Sequence, residues 1–277
     1  MCRLFGFRSS LISKVHTSLV AAENALMLQS PRHPDGWGVA YYIENAPHII
    51  RSLTAAIDDH LFKKVSGLVS SQTVVAHLRK RTTGGNSVLD THPFQYGNWV
   101  FAHNGNLSKF DQNRPEIIKL IDKNLVPFIL GSTDSELIFY LIMSNLRKIT
   151  ALDNANIKQV ATASRQAIEM LTKITGPIHT LDSGPPDQTY LTFILTNGPM
   201  LLGHQGGKTL YYSTHKKKCP DRFTCPAYTP ECEKQTDSGK ISHLLFSSEP
   251  TEGQNIWTPM KLNEMIGIDT NMNLCFL

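Results

Sequence analysis

The sequence predicts an α+β protein in which antiparallel sheets are covered by helices in layers. Segments enriched in β-branched and aromatic residues group toward the two ends of the chain, with most helix-like segments between them. Strands and helices do not alternate in the β–α–β rhythm of a parallel sheet. The 277 residues are 41% apolar and 18% charged, enough to bury a substantial core and unlike a disordered chain. At roughly 100–200 residues per domain, the length allows one large or two modest domains, and no stretch reads as a linker, repeat or low-complexity tract.

The first strand is expected at 3–7 and is followed by a helix at 15–28. Strands at 37–42, 73–78 and 99–103 come next, then helices at 115–121, 134–146 and 154–173. The helix at 134–146 is the best marked. Thr133 is placed to cap it, Asp134 and Glu136 suit its positive end, and Leu137, Ile138, Leu141 and Ile142 form its apolar face. A second strand set follows at 189–195, 200–204, 209–214 and 242–247, with closing pieces near Trp257 and at 264–268. Breaking residues cluster at 30–36, 81–98 and 216–239. Long loops of this kind in a compact chain are commonly functional or disordered.

Several function classes are disfavoured at once. Lys plus Arg (27) against Asp plus Glu (23) gives +4, too weak and scattered for a nucleic-acid surface. The longest apolar run, residues 137–143, is far short of the about twenty needed to span a bilayer. The start MCRLFGFRSS lacks a secretory h-region, and five cysteines do not make a secreted disulfide framework. A cytoplasmic protein bound to neither membrane nor nucleic acid is expected.

Four short stretches carry chemistry. Removal of Met1, favoured before a small residue, would leave Cys2 with a thiol and a free α-amine. A free thiol titrates near ~8.5 and an α-amine near ~7.7–8.0, so moving the proton from sulfur to nitrogen costs about 1 kcal/mol. No other base is needed. The bland reading is a small buried residue beside a strand. Asn104-Gly105 follows a strand and reads either as a sharp turn with φ > 0 or as an oxyanion hole, the Asn amide and the Gly N–H aimed at one carbonyl oxygen. Arg79 at a strand end can hold a carboxylate in a bidentate fork, or belong with Lys80 and Arg81 to a solvated cluster. Asp134 can open its helix and also face an ammonium group. These pieces share one ligand, an α-amino acid with a side-chain amide.

The ordered set CRLFGF, RHPDGWGVAYY, AHLRKRT, THPF, FAHNGN and GSTDSE resembles the class II glutamine amidotransferases, N-terminal-nucleophile hydrolases, and most of all their small stand-alone members. FSSEP at 246–250, with Trp257 after it, resembles the closing strands of those members. The resemblance implies a four-layer α-β-β-α sandwich of two antiparallel sheets, with residues 2–277 as one domain carrying a Cys/Pro-rich loop at about 215–239. It implies Cys2 as nucleophile, its α-amine as base, and Asn104 and Gly105 as the oxyanion pair. Arg79 would clamp the substrate α-carboxylate and Asp134 its ammonium, with Thr82 and His92 lining the same pocket. Arg32, Asp35 and Gly36 would support the site from behind. Lys80 and Arg81 depart from the aromatic-small pair of synthase-linked members, which makes the pocket more open or more basic.

The implied reaction is hydrolysis of the γ-amide of glutamine, or of a related γ-glutamyl amide, through a γ-glutamyl thioester. It calls for neither metal nor organic cofactor, and it could serve an ammonia-accepting or peptidase partner. A γ-glutamyl peptide or thiol-metabolite hydrolase is the alternative with the same chemistry. A non-enzymatic alternative is a metal-binding or interaction module built on Cys219, Cys225 and Cys232. Their gaps of five and six residues exceed the usual zinc spacing, and His215 or His243 would have to complete the set.

Overall fold

Alternation along one strand sets the layering. In Arg3–Lys14, Leu4 points into one apolar cluster with Val75, Ala102, Ile194 and Phe246. Phe5 and Phe7 point into another with Trp37, Phe62, Val65 and Val74. Successive side chains of a strand face opposite sides, so this strand is buried on both faces. The computed structural model describes residues 2–14, 17–22, 25–226 and 228–277. Within it are two seven-stranded sheets, antiparallel at every strand pairing.

The first sheet runs Thr258–Pro259, Tyr211–Ser213, His243–Ser247, Arg3–Lys14, Ser70–Leu78, Trp37–Ile43, Ala46–Ser52. The second runs Gly239–Lys240, Asn273–Phe276, Met265–Ile268, Leu201–His204, Tyr190–Thr196, Trp99–Asn106, Phe94–Tyr96. Their inner faces meet through Leu4, Val75, Ala102 and Ile194. Gly6 permits that approach, because a Cβ there would lie 3.0 Å from Ile194 Cδ1.

Helices cover both outer faces. The His60–Leu68 helix packs Phe62 and Val65 on the first sheet. The Phe110–Leu120, Asp134–Ile149 and Ile157–Thr175 helices cover the second through Ile117, Leu137, Leu141, Val160 and Leu171, against Phe101, Phe193 and Leu195. The result is the expected α-β-β-α sandwich. No helix among the described residues is long and apolar enough to cross a membrane.

Local signals explain several boundaries. Thr133 caps its helix, its side chain accepting from Glu136 N–H. Asn156 and Gln159 form a reciprocal capping box, which starts the next helix at Ile157. The single helix expected at 15–28 is not present as such. Thr17–Ala21 and Leu26–Gln29 form separate short turns, and Val15, His16, Glu23 and Asn24 lie outside the described residues. The helix expected from Pro115 begins earlier, at Phe110, with Pro115 inside it. Buried Phe110 anchors that extra turn in the core.

Candidate active site

Pairing register brings the first chemistry-bearing residues together. Arg3 is opposite Leu78, so Cys2, just before one strand, lies beside Arg79 and Lys80, just after the other. The Cys2 Sγ is 3.3 Å from both the N–H and the C=O of Lys80. It accepts from the first and donates to the second. A narrow cleft of about 20 Å³, enough for little more than a water, opens there, lined among others by Cys2, Arg79, Thr82, His92, Gly105 and Asp134. Six of the expected site residues thus share one cavity.

Burial pushes the Cys2 thiol above its ordinary pKa. The Lys80 backbone and Arg79 pull the other way, while Asp134 adds to the rise. Arg79 is 3% exposed. Its Nη2 donates to Gly85 O at 3.0 Å and to Thr83 O at 3.4 Å, while Nη1 is buried with no hydrogen-bond partner. A buried guanidinium nitrogen with nothing to donate to is costly. An anion in the cleft would satisfy it.

Asp134 is 1% exposed and firmly oriented. Its Oδ2 accepts from Leu107 N–H at 2.8 Å, and its Oδ1 accepts from the Thr83 hydroxyl at 3.0 Å and from Ser135 N–H at 2.7 Å. His103 sits behind it. The Tyr190 carbonyl, 2.9 Å from Nε2, can only accept, so Nε2 carries the proton and Nδ1 accepts from the Ser135 hydroxyl at 2.9 Å. Burial keeps His103 below its usual pKa, with Asp134 opposing.

Of the two readings of Asn104-Gly105, the sharp turn does not form. Both residues continue the Trp99–Asn106 strand, and neither has positive φ. Glycine is required for a different reason, since a Cβ at 105 would overlap Tyr190 O and His103 Nε2. Sheet pairing also fixes where the Gly105 N–H points. Leu191, opposite Gly105, donates its own N–H to Gly206 O at 2.7 Å. The pair is therefore of the non-hydrogen-bonded kind. The Gly105 N–H faces the other edge, which the Phe94–Tyr96 strand, reaching only as far as Phe101, leaves open. Asn104 is buried next to it, and among the described residues its side chain makes no hydrogen bond.

Asp35 and Gly36 brace the site from behind. Arg79 N–H donates to Gly36 O at 2.8 Å and Arg81 N–H to Asp35 Oδ2 at 2.9 Å. Gly36 has φ +116°, where a Cβ would meet the Ser52 carbonyl. Gly38 lets the His92–Pro93 segment pass, because a Cβ there would overlap His92 O. Arg32 does not join the cleft and is exposed at the end of a short turn. The residues that sequence reasoning missed are the loop's organisers. Asp90 accepts from Gly85 N–H at 2.8 Å and Ser132 N–H at 2.6 Å, tying the 81–90 loop to the entry of the Asp134 helix. His92, buried and held neutral by burial, packs its ring at a tilt against that of His77, centroids 4.1 Å apart.

Cys219, Cys225 and Cys232 lie elsewhere, as free thiols. They line a groove of about 660 Å³ beside the far end of the Arg3–Lys14 strand. Among the described residues no group of three or more His, Cys, Asp or Glu could hold a metal ion.

Comparison with known proteins gives a consistent picture. Residues 1–220 match the family described as class-II glutamine amidotransferases. The Saccharomyces cerevisiae protein described as probable glutamine amidotransferase DUG3 is 30% identical over 166 residues, 54% of this chain and 46% of that one. A Mycobacterium tuberculosis gamma-glutamyl-hercynylcysteine sulfoxide hydrolase is 31% identical over 115 residues, 38% of this chain and 49% of that one. The chain thus spans about half the length of these relatives. The crystal structure of a predicted glutamine amidotransferase from Pseudomonas aeruginosa PA01 superimposes with a TM-score of 0.62 at 19% identity, over 99% of this chain and 100% of that one.

Proposed function

This chain belongs to the class II glutamine amidotransferase family, and from that membership we propose that it hydrolyses the γ-amide of glutamine or of a related γ-glutamyl compound, using Cys2 as nucleophile. The observation that carries the reading is the partnerless Arg79 Nη1 in the same cleft as Cys2 and Asp134. An α-carboxylate satisfies the first and an α-ammonium the last. A side-chain carbonyl two methylenes away then falls toward the sulfur. We read residues 2–277 as one catalytic domain, because both sheets draw strands from both halves of the chain.

The cycle begins once Met1 is removed. The Cys2 α-amine takes the thiol proton, offsetting the rise that burial imposes on the sulfur. Thiolate attack on the γ-carbon makes a tetrahedral oxyanion, held by the Gly105 N–H and the Asn104 side-chain amide. Removing one donor of this kind typically costs about 10²–10³ in rate. As the C–N bond breaks, the leaving nitrogen takes the proton back from the α-ammonium. Water, deprotonated by the same amine, then attacks the γ-glutamyl thioester, releasing glutamate and restoring the thiol. Asp134 and Arg79 position the head throughout, and the Thr83 hydroxyl with the Leu107 and Ser135 N–H groups keeps Asp134 in place.

The test is a panel of glutamine and γ-glutamyl compounds on protein whose mature N-terminus is verified by intact mass. Glutamate release from at least one of them, abolished by Cys2→Ala in a protein that keeps its wild-type Tm, is expected. Undiminished turnover in that variant would falsify the nucleophile assignment.

A further inference from the structure

Deep in the cleft Arg79 and Asp134 are assigned to the amino-acid head by the reading above, but the charges at its mouth have no such assignment. Lys80 and Arg81 both line the cleft and are exposed. The ion pairs among the described residues engage Arg3, Arg147 and Arg222, and neither of these two side chains pairs with a carboxylate. One acid close by, Asp35, accepts through Oδ2 from the backbone N–H of Arg81. Both backbones are pinned, Lys80 by its two contacts to the Cys2 sulfur and Arg81 by Asp35. The two cations therefore leave the main chain at fixed points directly beside the nucleophile.

Burial gives the substrate a direction. Arg79 and Asp134, 3% and 1% exposed, form the closed end, which takes the amino-acid head. The reacting carbonyl lies at Cys2, so the leaving group points out of the mouth, past Lys80 and Arg81. Ammonia, the leaving group of glutamine, offers those cations nothing. An amino acid joined through its α-nitrogen carries a carboxylate separated from the scissile nitrogen by a single carbon, within reach of long basic side chains. We infer that Lys80 and Arg81 select substrates whose leaving amine bears a carboxylate: γ-glutamyl amino acids or peptides in preference to glutamine. This rests on the hydrolase reading above and adds to it the identity of the leaving group. A potential focused at a cleft mouth favours an anionic ligand in rate and affinity alike.

The experiment uses mature full-length protein and three substrates: γ-glutamylglycine, its C-terminal amide, and glutamine. Shape is nearly the same in the first two and charge differs. The expected kcat/KM for the acid is about 3- to 10-fold above that for the amide at low salt, as suits exposed charge pairs. The ratio should shrink as salt screens the mouth, and the double variant Lys80→Gln, Arg81→Gln should bring it close to one. Equal or faster cleavage of the amide by wild type, a ratio that survives the double substitution, or a clear preference for glutamine would each overturn the inference while leaving the hydrolase reading intact. Turnover of none of the three would overturn both.

Discussion

Replacing Arg79 by lysine separates shape from charge at the closed end of the cleft. The guanidinium divides its work: Nη2 is anchored to Gly85 O at 3.0 Å and more weakly to Thr83 O at 3.4 Å, while Nη1 is buried without a partner. Lysine keeps the charge but offers a single nitrogen on a flexible stem. It can hold the loop carbonyl or the incoming carboxylate, not both with good geometry. The loss is about one charge-assisted hydrogen bond, roughly 1.5–3 kcal/mol, or about 10- to 150-fold in kcat/KM. Because the head is bound equally before and during reaction, the change should fall on KM, with kcat within about threefold. Steady-state glutamate release against substrate concentration reads it directly, and a melting curve checks that the loop still folds. An unchanged KM would mean that the carboxylate is held elsewhere, and the placement of the head would have to be abandoned.

Gly105→Ala should lower kcat by about 10²–10³ and cost about 1–3 kcal/mol of stability by overpacking, since the added carbon meets the Tyr190 carbonyl and the buried His103 ring; a fully active, equally stable variant would contradict the close-approach argument. A protein keeping Met1 or an uncleaved tag should be inactive, since an acylated nitrogen is not a base, and full activity with a mass-verified extension would refute the α-amine's role. Stability should fall on acidification below about pH 6.5. Burial pushes His204 down to about 4 and His243 down to about 3, so the unfolded chain binds more protons as the pH falls. His204 alone then gives up about 3 kcal/mol between pH 6.5 and 4. Urea midpoints that stay level from pH 7.5 to 4.5 would show these rings to be charged in the native state.

What the sequence made legible follows from the range of the forces involved. The Asp134–Ile149 helix was readable because its cap, Thr133, acts over three residues and its apolar face repeats with the helical period. The strand ends carrying Cys2 and Arg79 were readable as motifs, and pairing register then placed them side by side. The Ala46–Ser52 strand was not, because it lies at the rim of its sheet with Pro47 inside and no fully buried side chain. Asp90 and Ser132 escaped notice because their bond joins segments 42 residues apart, and no local pattern announces such a contact. Asn104-Gly105 left two readings open, a sharp turn or an oxyanion pair; the strand continues through both residues, and glycine is demanded by a carbonyl on the neighbouring strand, which no local pattern announces.

The proposed reaction requires that one cysteine sulfur out of five, that of Cys2, forms the covalent intermediate. Mature protein treated with a glutamine analogue bearing a diazoketone in place of the amide, then mapped by peptide mass spectrometry, tests it most directly. The account predicts a single stoichiometric adduct on Cys2, with activity lost in proportion and protection by substrate. Labelling at Cys219, Cys225, Cys232 or Cys275 with Cys2 untouched, or inactivation without any cysteine adduct, would contradict it.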